Sequence, residues 1–421
     1  MHSGTRSGTR SVRSGRLVVA TRILAPYRTP FYRALVERGI PSGIVVAGRG
    51  RADVSTAALR SLPEEVPARL CTSGFFLRRD VLRACAEFAP GILVVEHGAR
   101  LDFAWSLLGM PSLRGVPRVI WTHGIETRER ATGRPTPASL ARRAQIELAA
   151  GLVCYDSQMA ELLRERWPHK VVGVAPNSTD GTPIQQACGL DPAETRAEAR
   201  RRLGLEREFY LVVLGRLIKG KQPTRALDVL ERVRRVIPDT GLLFIGDGPE
   251  RTSVLRRVGA MGYSVGRDVV LTGEIWDPSA LGSWLHCGDV HLNTGYAGLN
   301  VVDALFAGLP TVLAPVTRRG PFHSPEWNYL RGHEGGLFAV DDGAEALSNR
   351  AVEYLSSSHA ARRRVEGLCT RFATSYLGVG NMVDGFVAVA GALGCHWPSL
   401  SEGVSDGSGL GVESSSQVGI A

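Results

Sequence analysis

Two positive side chains, Arg216 and Lys221, lie in a short loop that follows a run of apolar residues. The run, Tyr210–Leu214, is typical of a buried strand, and the loop reads Gly-Arg-Leu-Ile-Lys-Gly-Lys-Gln over 215–222. Two cations held at the end of a strand could bind a diphosphate. Two solvent-exposed cations beside a turn would have the same sequence, and that alternative stays open.

The same loop comes close to a P-loop, whose pattern Gly-x-x-x-x-Gly-Lys-Ser/Thr binds nucleotide phosphates and magnesium. Gln222 stands where the P-loop has the hydroxyl that coordinates magnesium. An NTPase or kinase is therefore a weaker hypothesis. No Asp-x-Asp pair occurs in the sequence, so no metal bridging two phosphates is indicated.

A second candidate anion site is the glycine-containing loop at 294–299, which leads into an apolar helical pattern. Backbone amides at the start of a helix bind anions, so the amides of Gly298 and Leu299 are candidate phosphate ligands. Asp303 falls inside the predicted helix, within reach of a sugar hydroxyl if the loop holds a phosphate. Alternatively, Gly298 and Gly308 only begin and end a packed helix.

His123 follows the apolar strand Val119–Trp121 and precedes Gly124. In a parallel sheet this position lies at the carboxyl end of a strand, where ligands bind. We therefore predict that His123 faces a cleft. A purely structural histidine is the alternative.

The composition is that of a globular protein. Of 421 residues, 44% are hydrophobic and 22% are charged. No apolar run approaches the ~20 residues that cross a bilayer, and the seven cysteines lack metal-site spacing. These features predict a cytoplasmic protein with reduced thiols. The net charge of +9 comes without interleaved aromatic and basic residues, which argues against a nucleic-acid partner.

Apolar strands alternate with helical segments in two series, which predicts an α/β protein with two Rossmann-like domains. The proline-containing stretch Ala175–Glu206 separates the series as a linker and an entry helix. The predicted boundaries are a disordered tail at 1–15, an N-terminal domain with linker at 16–200, a C-terminal domain at 201–372, a helical segment at 373–398 and a second disordered tail at 399–421. Two parallel sheets that face each other would create a cleft.

The order of these motifs resembles the family-4 retaining glycosyltransferases of the GT-B fold over about residues 16–390. The C-terminal domain of that family typically carries Gly-Arg-Leu…Lys, Gly-Asp-Gly-Pro-Glu-Arg, a Gly loop, Glu-x7-Glu and Ala-x-x-x-Gly-x-Pro. The matching segments here are 215–221, 246–251, 273–274, 295–303 and 304–310. In the N-terminal half the similar segments are 27–32, 121–124 and 175–177. The ordered series carries the resemblance, rather than any single motif.

The sequence departs from the family pattern at Glu-x7-Glu. Gly295 replaces the first Glu, which contacts the donor sugar in the family, and Asp303 replaces the second, which contacts the ribose. We expect His323 or Glu326 to replace part of the lost carboxylate function. Alternatively, the segment 324–326, Ser-Pro-Glu, is only a good helix start.

The resemblance implies transfer of a sugar from a nucleoside diphosphate sugar to a hydroxyl acceptor, with retention at the anomeric carbon. The nucleotide sugar is a co-substrate, and no cofactor or metal is expected. The implied donor contacts are Arg216, Lys221, Gly298 and Leu299 for the diphosphate, the backbone of Ile275 for the base and Asp303 for the ribose. His123 would contact the sugar or the acceptor near the reacting carbon.

The N-terminal domain would select the acceptor. It carries a basic stretch that could face an anionic, lipid-linked acceptor in peripheral contact with the inner membrane face, made of Arg128, Arg130, Arg134, Arg142 and Arg143. A small-molecule acceptor is equally open. Three hypotheses compete with the transferase: a catalytically silent GT-B binding module, suggested by Gly295, a P-loop-like NTPase or kinase, and a sugar-nucleotide epimerase.

Overall fold

The computed structural model describes residues 15–48, 52–71, 77–98, 102–109, 113, 115–189 and 195–397. The tails predicted to be disordered, 1–15 and 399–421, lie outside the described residues except for Gly15. Within the described residues, no helix combines the length and the apolarity needed to span a membrane.

The N-terminal half forms a parallel sheet of seven described strands in the order β3-β2-β1-β4-β5-β6-β7. The strands are β1 (Arg16–Thr21), β2 (Ser42–Ala47), β3 (Ala68–Cys71), β4 (Pro90–Glu96), β5 (Arg118–Thr122), β6 (Gly151–Cys154) and β7 (Val171–Val174). The helices between them are α1 (Thr29–Glu37), α2 (Ala52–Leu59), α3 (Leu77–Glu87), α4 (Asp102–Gly109), α5 (Thr127–Thr132), α6 (Pro137–Leu148) and α7 (Ser157–Arg166). Strand order reverses between β1 and β4, which leaves a crevice at their carboxyl ends.

The C-terminal half repeats this plan with six described parallel strands in the order β10-β9-β8-β11-β12-β13. The strands are β8 (Phe209–Leu214), β9 (Thr240–Ile245), β10 (Val269–Gly273), β11 (Val290–Asn293), β12 (Thr311–Leu313) and β13 (Gly336–Phe338). The remaining helices are α8 (Thr182–Gly189), α9 (Arg196–Arg202), α10 (Arg225–Arg234), α11 (Arg251–Ala260), α12 (Pro278–His286), α13 (Asn300–Phe306), α14 (Ala344–Leu355), α15 (His359–Tyr376) and α16 (Val379–Ala392). The predicted α/β fold with two Rossmann-like sheets is confirmed.

Three strands are absent from the sequence prediction, namely β3, β7 and β13, and all three lie at sheet edges. β3 lacks an apolar run, because its first two residues, Ala68 and Arg69, are exposed. The sequences of β7, Val-Val-Gly-Val, and β13, Gly-Leu-Phe, are short apolar segments that contain a glycine, which strands disfavour. The fourth edge strand, β10, was predicted from the sequence.

The chain crosses between the two halves twice, at 175–181 and again after α15. Helix α16 returns to pack on β6 and β7 of the N-terminal half. Gly385 in α16 lies so close to β7 that any side chain there would overlap the carbonyl of Val174. Phe386 packs edge-to-face on Trp121 with ring centroids 5.1 Å apart. The last helix therefore completes the core of the N-terminal domain.

A short 3-10 helix, Pro325–Leu330, fastens the C-terminal half to the N-terminal half. The Tyr329 hydroxyl accepts a hydrogen bond from the amide of Asn177 at 2.8 Å and donates to the carbonyl of Tyr155 at 3.2 Å. Because these groups are buried and hydrogen-bonded, they fix the two walls of the cleft relative to each other.

The predicted helix start at 324–326 corresponds to this 3-10 helix, with two differences. The hydroxyl of Ser324 does not cap the helix. Glu326 points into the domain interface and is buried, whereas a first-turn glutamate of a surface helix would face solvent.

Candidate active site

The predicted diphosphate-binding loop begins where strand order reverses in the C-terminal sheet. Gly215 directly follows β8, and Thr294 directly follows the neighbouring strand β11. The Thr294 hydroxyl donates to the carbonyls of Lys221 and Gln222 at 2.9 and 3.0 Å. The two loops are thereby held together at the edge of the sheet where ligands bind.

Lys221 folds back over the end of β8. Its Nζ would lie 2.8 Å from a Cβ at position 215, where Gly215 has a φ of +106° that favours glycine. Burial lowers the pKa of Lys221 to about 8, while the carboxylates of Asp303 and Glu326 oppose that shift. No carboxylate within the described residues lies within 4 Å of this amine, so its positive charge is open to a ligand.

Arg216 and the backbone after it set this loop apart from a P-loop. The Arg216 side chain is exposed and makes no hydrogen bond or ion pair with a described residue. In a P-loop the helix starts at the Gly-Lys-Ser/Thr segment, and its amides surround the phosphates. Here Gln222 adopts a left-handed conformation with φ of +49°, Pro223 has no N–H, and α10 starts only at Arg225. The loop therefore offers cations rather than a cradle of amides.

Gly295, which replaces a glutamate of the family pattern, sits directly against the Lys221 loop. A methyl group at 295 would overlap the carbonyl oxygen of Gly220 and lie 2.5 Å from the Cα of Lys221. A side chain at 295 is thus incompatible with the observed path of 219–221, because both contacts are to backbone. The absence of a carboxylate at position 295 therefore allows the 219–221 turn to place Lys221 where it lies.

His323 supports the second loop. Its Nδ1 accepts a hydrogen bond from the amide of Ala297 at 2.9 Å, and its Nε2 donates to the carbonyl of Ala314 at 2.8 Å. Burial lowers the pKa of His323, which favours the neutral ring that these two bonds require. A direct contact of His323 with a donor sugar, as predicted, would have to break one of these bonds.

The two predicted phosphate-binding amides differ in the structure. The amide of Gly298 already donates to Oδ1 of Asn300 at 3.0 Å. The amide of Leu299 forms no hydrogen bond within the described residues. Leu299 therefore presents the better-placed donor of the pair.

Asp303 faces the first crossing between the halves. Its carboxylate accepts a hydrogen bond from the hydroxyl of Thr179 at 2.7 Å. Burial raises the pKa of Asp303 to about 6, against the effects of Thr179 and Lys221. A hydroxyl already satisfies one carboxylate oxygen, which is the kind of partner that a ribose would offer.

Glu326 lies between the two walls of the cleft. Its Oε1 accepts a hydrogen bond from Nδ2 of Asn177, while its Oε2 is buried without a partner. Burial raises the pKa of Glu326, although Asn177 and Arg28 oppose the shift. A buried carboxylate oxygen with no partner is costly, so it is a candidate contact for a sugar hydroxyl.

His123 forms the opposite, N-terminal wall of the cleft, at the end of β5. The turn that presents it depends on Gly124, whose φ is +73° and whose amide donates to the Thr122 hydroxyl at 2.7 Å. Burial lowers the pKa of His123 to about 4, and the nearby Arg28 and Arg142 guanidiniums act in the same direction. The ring is therefore neutral at physiological pH, with an edge open to the cleft.

Arg28 is a cleft residue whose role sequence reasoning missed. Its guanidinium stacks 4.1 Å from the centre of the Trp121 ring and donates to the Tyr155 hydroxyl at 3.3 Å. Arg28 and His123 line one small cavity of about 80 Å³. A larger cavity, of about 420 Å³, joins His123 to the segment Phe322–Pro325 of the other half. Arg28 belongs to the segment 27–32, which is similar to the family. The sequence around Arg28 does not indicate that it contacts Trp121 and Tyr155.

Ile275 follows β10 at the same edge of the C-terminal sheet. Its side chain packs against the domain core, and its backbone forms no hydrogen bond within the described residues. The backbone is therefore free to form hydrogen bonds with a ligand, and its contact with the base stays a prediction. The neighbouring Trp276 is 70% exposed, which sequence reasoning did not anticipate.

The family model described as Glycosyl transferases group 1 matches residues 208–357, which span the C-terminal sheet and both loops. No curated protein sequence matches the chain significantly.

Solved structures match both halves together. Anabaena Alr3699/HepE in complex with UDP has a TM-score of 0.68 at 13% identity, covering 90% of this chain and 100% of that chain. A glycosyltransferase from Rickettsia africae has a TM-score of 0.63 at 10% identity, with coverages of 90% and 99%. An α,α-trehalose 6-phosphate synthase from Burkholderia multivorans has a TM-score of 0.62 at 12% identity, with coverages of 90% and 99%.

The chain has the GT-B glycosyltransferase fold. The resemblance inferred from the order of the motifs is confirmed by the fold and by the match of the C-terminal domain. Membership of family 4 and retention at the anomeric carbon stay predictions. In the GT-B fold of this chain, Lys221 interacts electrostatically with Asp303 and Glu326, and His123 lines a cavity with the segment Phe322–Pro325.

Proposed function

We propose that this chain transfers a sugar from a nucleoside diphosphate sugar to a hydroxyl acceptor, with retention of anomeric configuration. The observation that carries the proposal is Lys221, a cation at the switch point of the C-terminal sheet that has no carboxylate within 4 Å among the described residues. Negative charge develops on the departing diphosphate, and a cation fixed in advance stabilises it without reorganising solvent. The ligands of the HepE structures, UDP and UDP-glucose, make uridine nucleotides the first donors to test.

In the proposed reaction, Arg216, Lys221 and the Leu299 amide bind the diphosphate. Asp303 binds the ribose, and the Ile275 backbone meets the base. Glu326 contacts the donor sugar in place of the carboxylate that Gly295 lacks. His123, which is neutral, hydrogen-bonds the sugar or the acceptor, and the departing phosphate accepts the proton of the acceptor hydroxyl. The reaction needs no metal, and the protein works in the cytoplasm, with peripheral contact with the inner membrane face if the acceptor is lipid-linked.

A thermal-shift screen with UDP, GDP, ADP and dTDP and their sugar conjugates tests this function. We expect one nucleotide to stabilise the wild type but not Arg216→Ala. Arg256→Ala, which removes an exposed arginine on α11, serves as the control and should respond like the wild type. Stabilisation by ATP with magnesium alone would contradict the proposal and favour the P-loop hypothesis.

Turnover separates the remaining candidates. Release of free sugar or its transfer to an acceptor, assayed with the stabilising donor, supports the transferase. Donor binding without any turnover supports a silent binding module, which the absence of a carboxylate at Gly295 favours as the second candidate. An altered nucleotide sugar formed without an acceptor would indicate an epimerase.

The affinity for a nucleotide sugar should depend on pH through Lys221. An anionic ligand binds the protonated amine, so affinity is full below about pH 7 and falls as the pH rises through about 8. The expected decrease approaches about tenfold per pH unit above 8. Calorimetric titration between pH 6.5 and 9 measures it, and Lys221→Arg, which stays charged, should flatten the profile. An unchanged slope in Lys221→Arg would assign the dependence to another group.

A further inference from the structure

A second cavity opens beside the His123 cavity and contains three arginines. It has a volume of about 360 Å³ and is lined by Arg128, Thr132, Arg134, Pro135, Thr136 and Arg318. No carboxylate of the described residues lines it. We call this space the arginine cavity.

The three guanidiniums of the arginine cavity are not neutralised within the described part of the chain. Arg128, Arg134 and Arg318 are exposed and form no ion pair with a described residue. Two other arginines of the predicted basic stretch, by contrast, form ion pairs. Arg142 pairs with Glu126 at 2.5 Å, and Arg143 pairs with Glu129. Of the three arginines that remain, Arg128 and Arg134 line the cavity, whereas Arg130 does not. The structure adds Arg318, which the sequence did not suggest.

The arginine cavity is built from both halves of the molecule. Arg128 belongs to α5, and Arg134 precedes α6, whose start is fixed by reciprocal hydrogen bonds between Thr136 and Ser139. Arg318 lies in the loop after β12, which the Thr317 hydroxyl closes by donating to the carbonyl of Gly320 at 2.6 Å.

The two halves touch beside this cavity, because the hydroxyl of Thr127, next to Arg128, donates to the carbonyl of His323 at 2.8 Å. Cations from both walls of the cleft therefore face one space, whose entrance is held by a contact between the halves.

The arginine cavity adjoins the cavity that contains His123. Arg128 lines both this cavity and the 420 Å³ cavity that contains His123. A molecule whose hydroxyl lies at His123 could therefore extend between the three guanidiniums.

The geometry points to an acceptor that carries a phosphate group, bound by Arg128, Arg134 and Arg318 while its hydroxyl lies at His123. Phosphate fits better than carboxylate, since its three or more oxygens can engage several guanidiniums, whereas a carboxylate is filled by one bidentate arginine. This inference rests on the proposed glycosyl transfer and names the class of acceptor. The phosphate could belong to a sugar phosphate or to a lipid headgroup.

Calorimetric titration of the full-length protein, saturated with UDP so that the donor site is filled, tests the inference. The probes are glucose 6-phosphate, glucose, and vesicles of phosphatidylcholine with or without phosphatidic acid. We expect binding of a phosphate-bearing probe but not of glucose. We expect Arg128→Ala, Arg134→Ala and Arg318→Ala each to weaken it about tenfold, more strongly at low salt than at high salt. Binding of the sugar phosphate identifies a water-soluble acceptor, and binding of phosphatidic acid vesicles alone identifies a lipid.

Arg319→Ala is the matched control, because Arg319 is an adjacent exposed arginine that does not line the cavity. Equal losses in Arg318→Ala and Arg319→Ala, or no binding of any phosphate probe, would overturn the inference. The UDP-induced thermal shift should persist in Arg318→Ala. If none of the four nucleoside diphosphates of the thermal-shift screen binds the wild type, the proposed function fails. The comparison of Arg318→Ala with Arg319→Ala, made without a nucleotide, then still tests phosphate binding in the arginine cavity.

Discussion

Replacement of Lys221 by alanine is expected to lower sugar transfer, or hydrolysis of the donor, by a factor of about 10²–10³. The amine is held at the end of β8 without a carboxylate partner, so its charge is available to the leaving diphosphate. The effect should fall mainly on kcat, because the charge that Lys221 meets is larger in the transition state than in the bound donor. Release of nucleoside diphosphate at saturating donor measures it.

Lys219→Ala is the control for this variant. Lys219 occupies the same 3-10 turn, Lys219–Lys221, but its side chain is exposed to solvent. Its removal should leave kcat within about twofold of the wild type. If both lysine variants lost the same activity, general electrostatic attraction of the donor would explain the result, and the specific role of Lys221 would be wrong.

Replacement of Gly295 by alanine is expected to destabilise the protein by about 1–3 kcal/mol and to abolish donor binding. The added methyl group would overlap backbone atoms of Gly220 and Lys221, so the 219–221 turn would have to move and carry the Lys221 amine with it. Restoring the family glutamate by Gly295→Glu should therefore lose activity rather than gain it. Chemical denaturation measures the loss of stability, and the thermal shift with the donor nucleotide measures the loss of donor binding.

Gly298→Ala provides a matched comparison within the same loop. A methyl group at 298 would lie no closer than 3.8 Å to the atoms of Asn300 and Ser324, so it fits without displacement. Its stability should stay within about 0.5 kcal/mol of the wild type. A gain of turnover in Gly295→Glu would show that the 219–221 turn can move to accept a side chain at position 295, which would contradict this prediction.

The sequence predicted mainly those strands that are covered on both faces of the sheet, because such strands consist largely of apolar residues. Strand β8, which positions Lys221, belongs to this class, as does β5, which presents His123. Strand β11, which positions Gly295, is buried as well, although its sequence Val-His-Leu-Asn alternates apolar and polar residues. The order of the loops that follow these strands could be predicted from their motifs. Of the edge strands, β10 could be predicted, whereas β3 was missed because it is partly exposed, and β7 and β13 because each is a short segment with a glycine.

The parts of the candidate site that escaped prediction depend on contacts between distant segments. The bond between Thr179 and Asp303 joins residues 124 positions apart, and the approach of Gly295 to the Lys221 loop is visible only in three dimensions. Arg318 joins Arg128 and Arg134 for the same reason. Local patterns predict what a residue can do, whereas its partners depend on how the two halves dock.

The return of α16 to the N-terminal half has a consequence during synthesis. When the ribosome has completed the segment Arg16–Val174, the seven strands have all been synthesised, but the apolar surface around Phe31 and Trp121 still lacks Phe386 and the rest of α16. About two hundred further residues, including the whole C-terminal sheet, must be made before that surface is covered. The first half to be translated is therefore the last to be finished, and a nascent chain stalled in between would expose a surface that invites chaperones or aggregation.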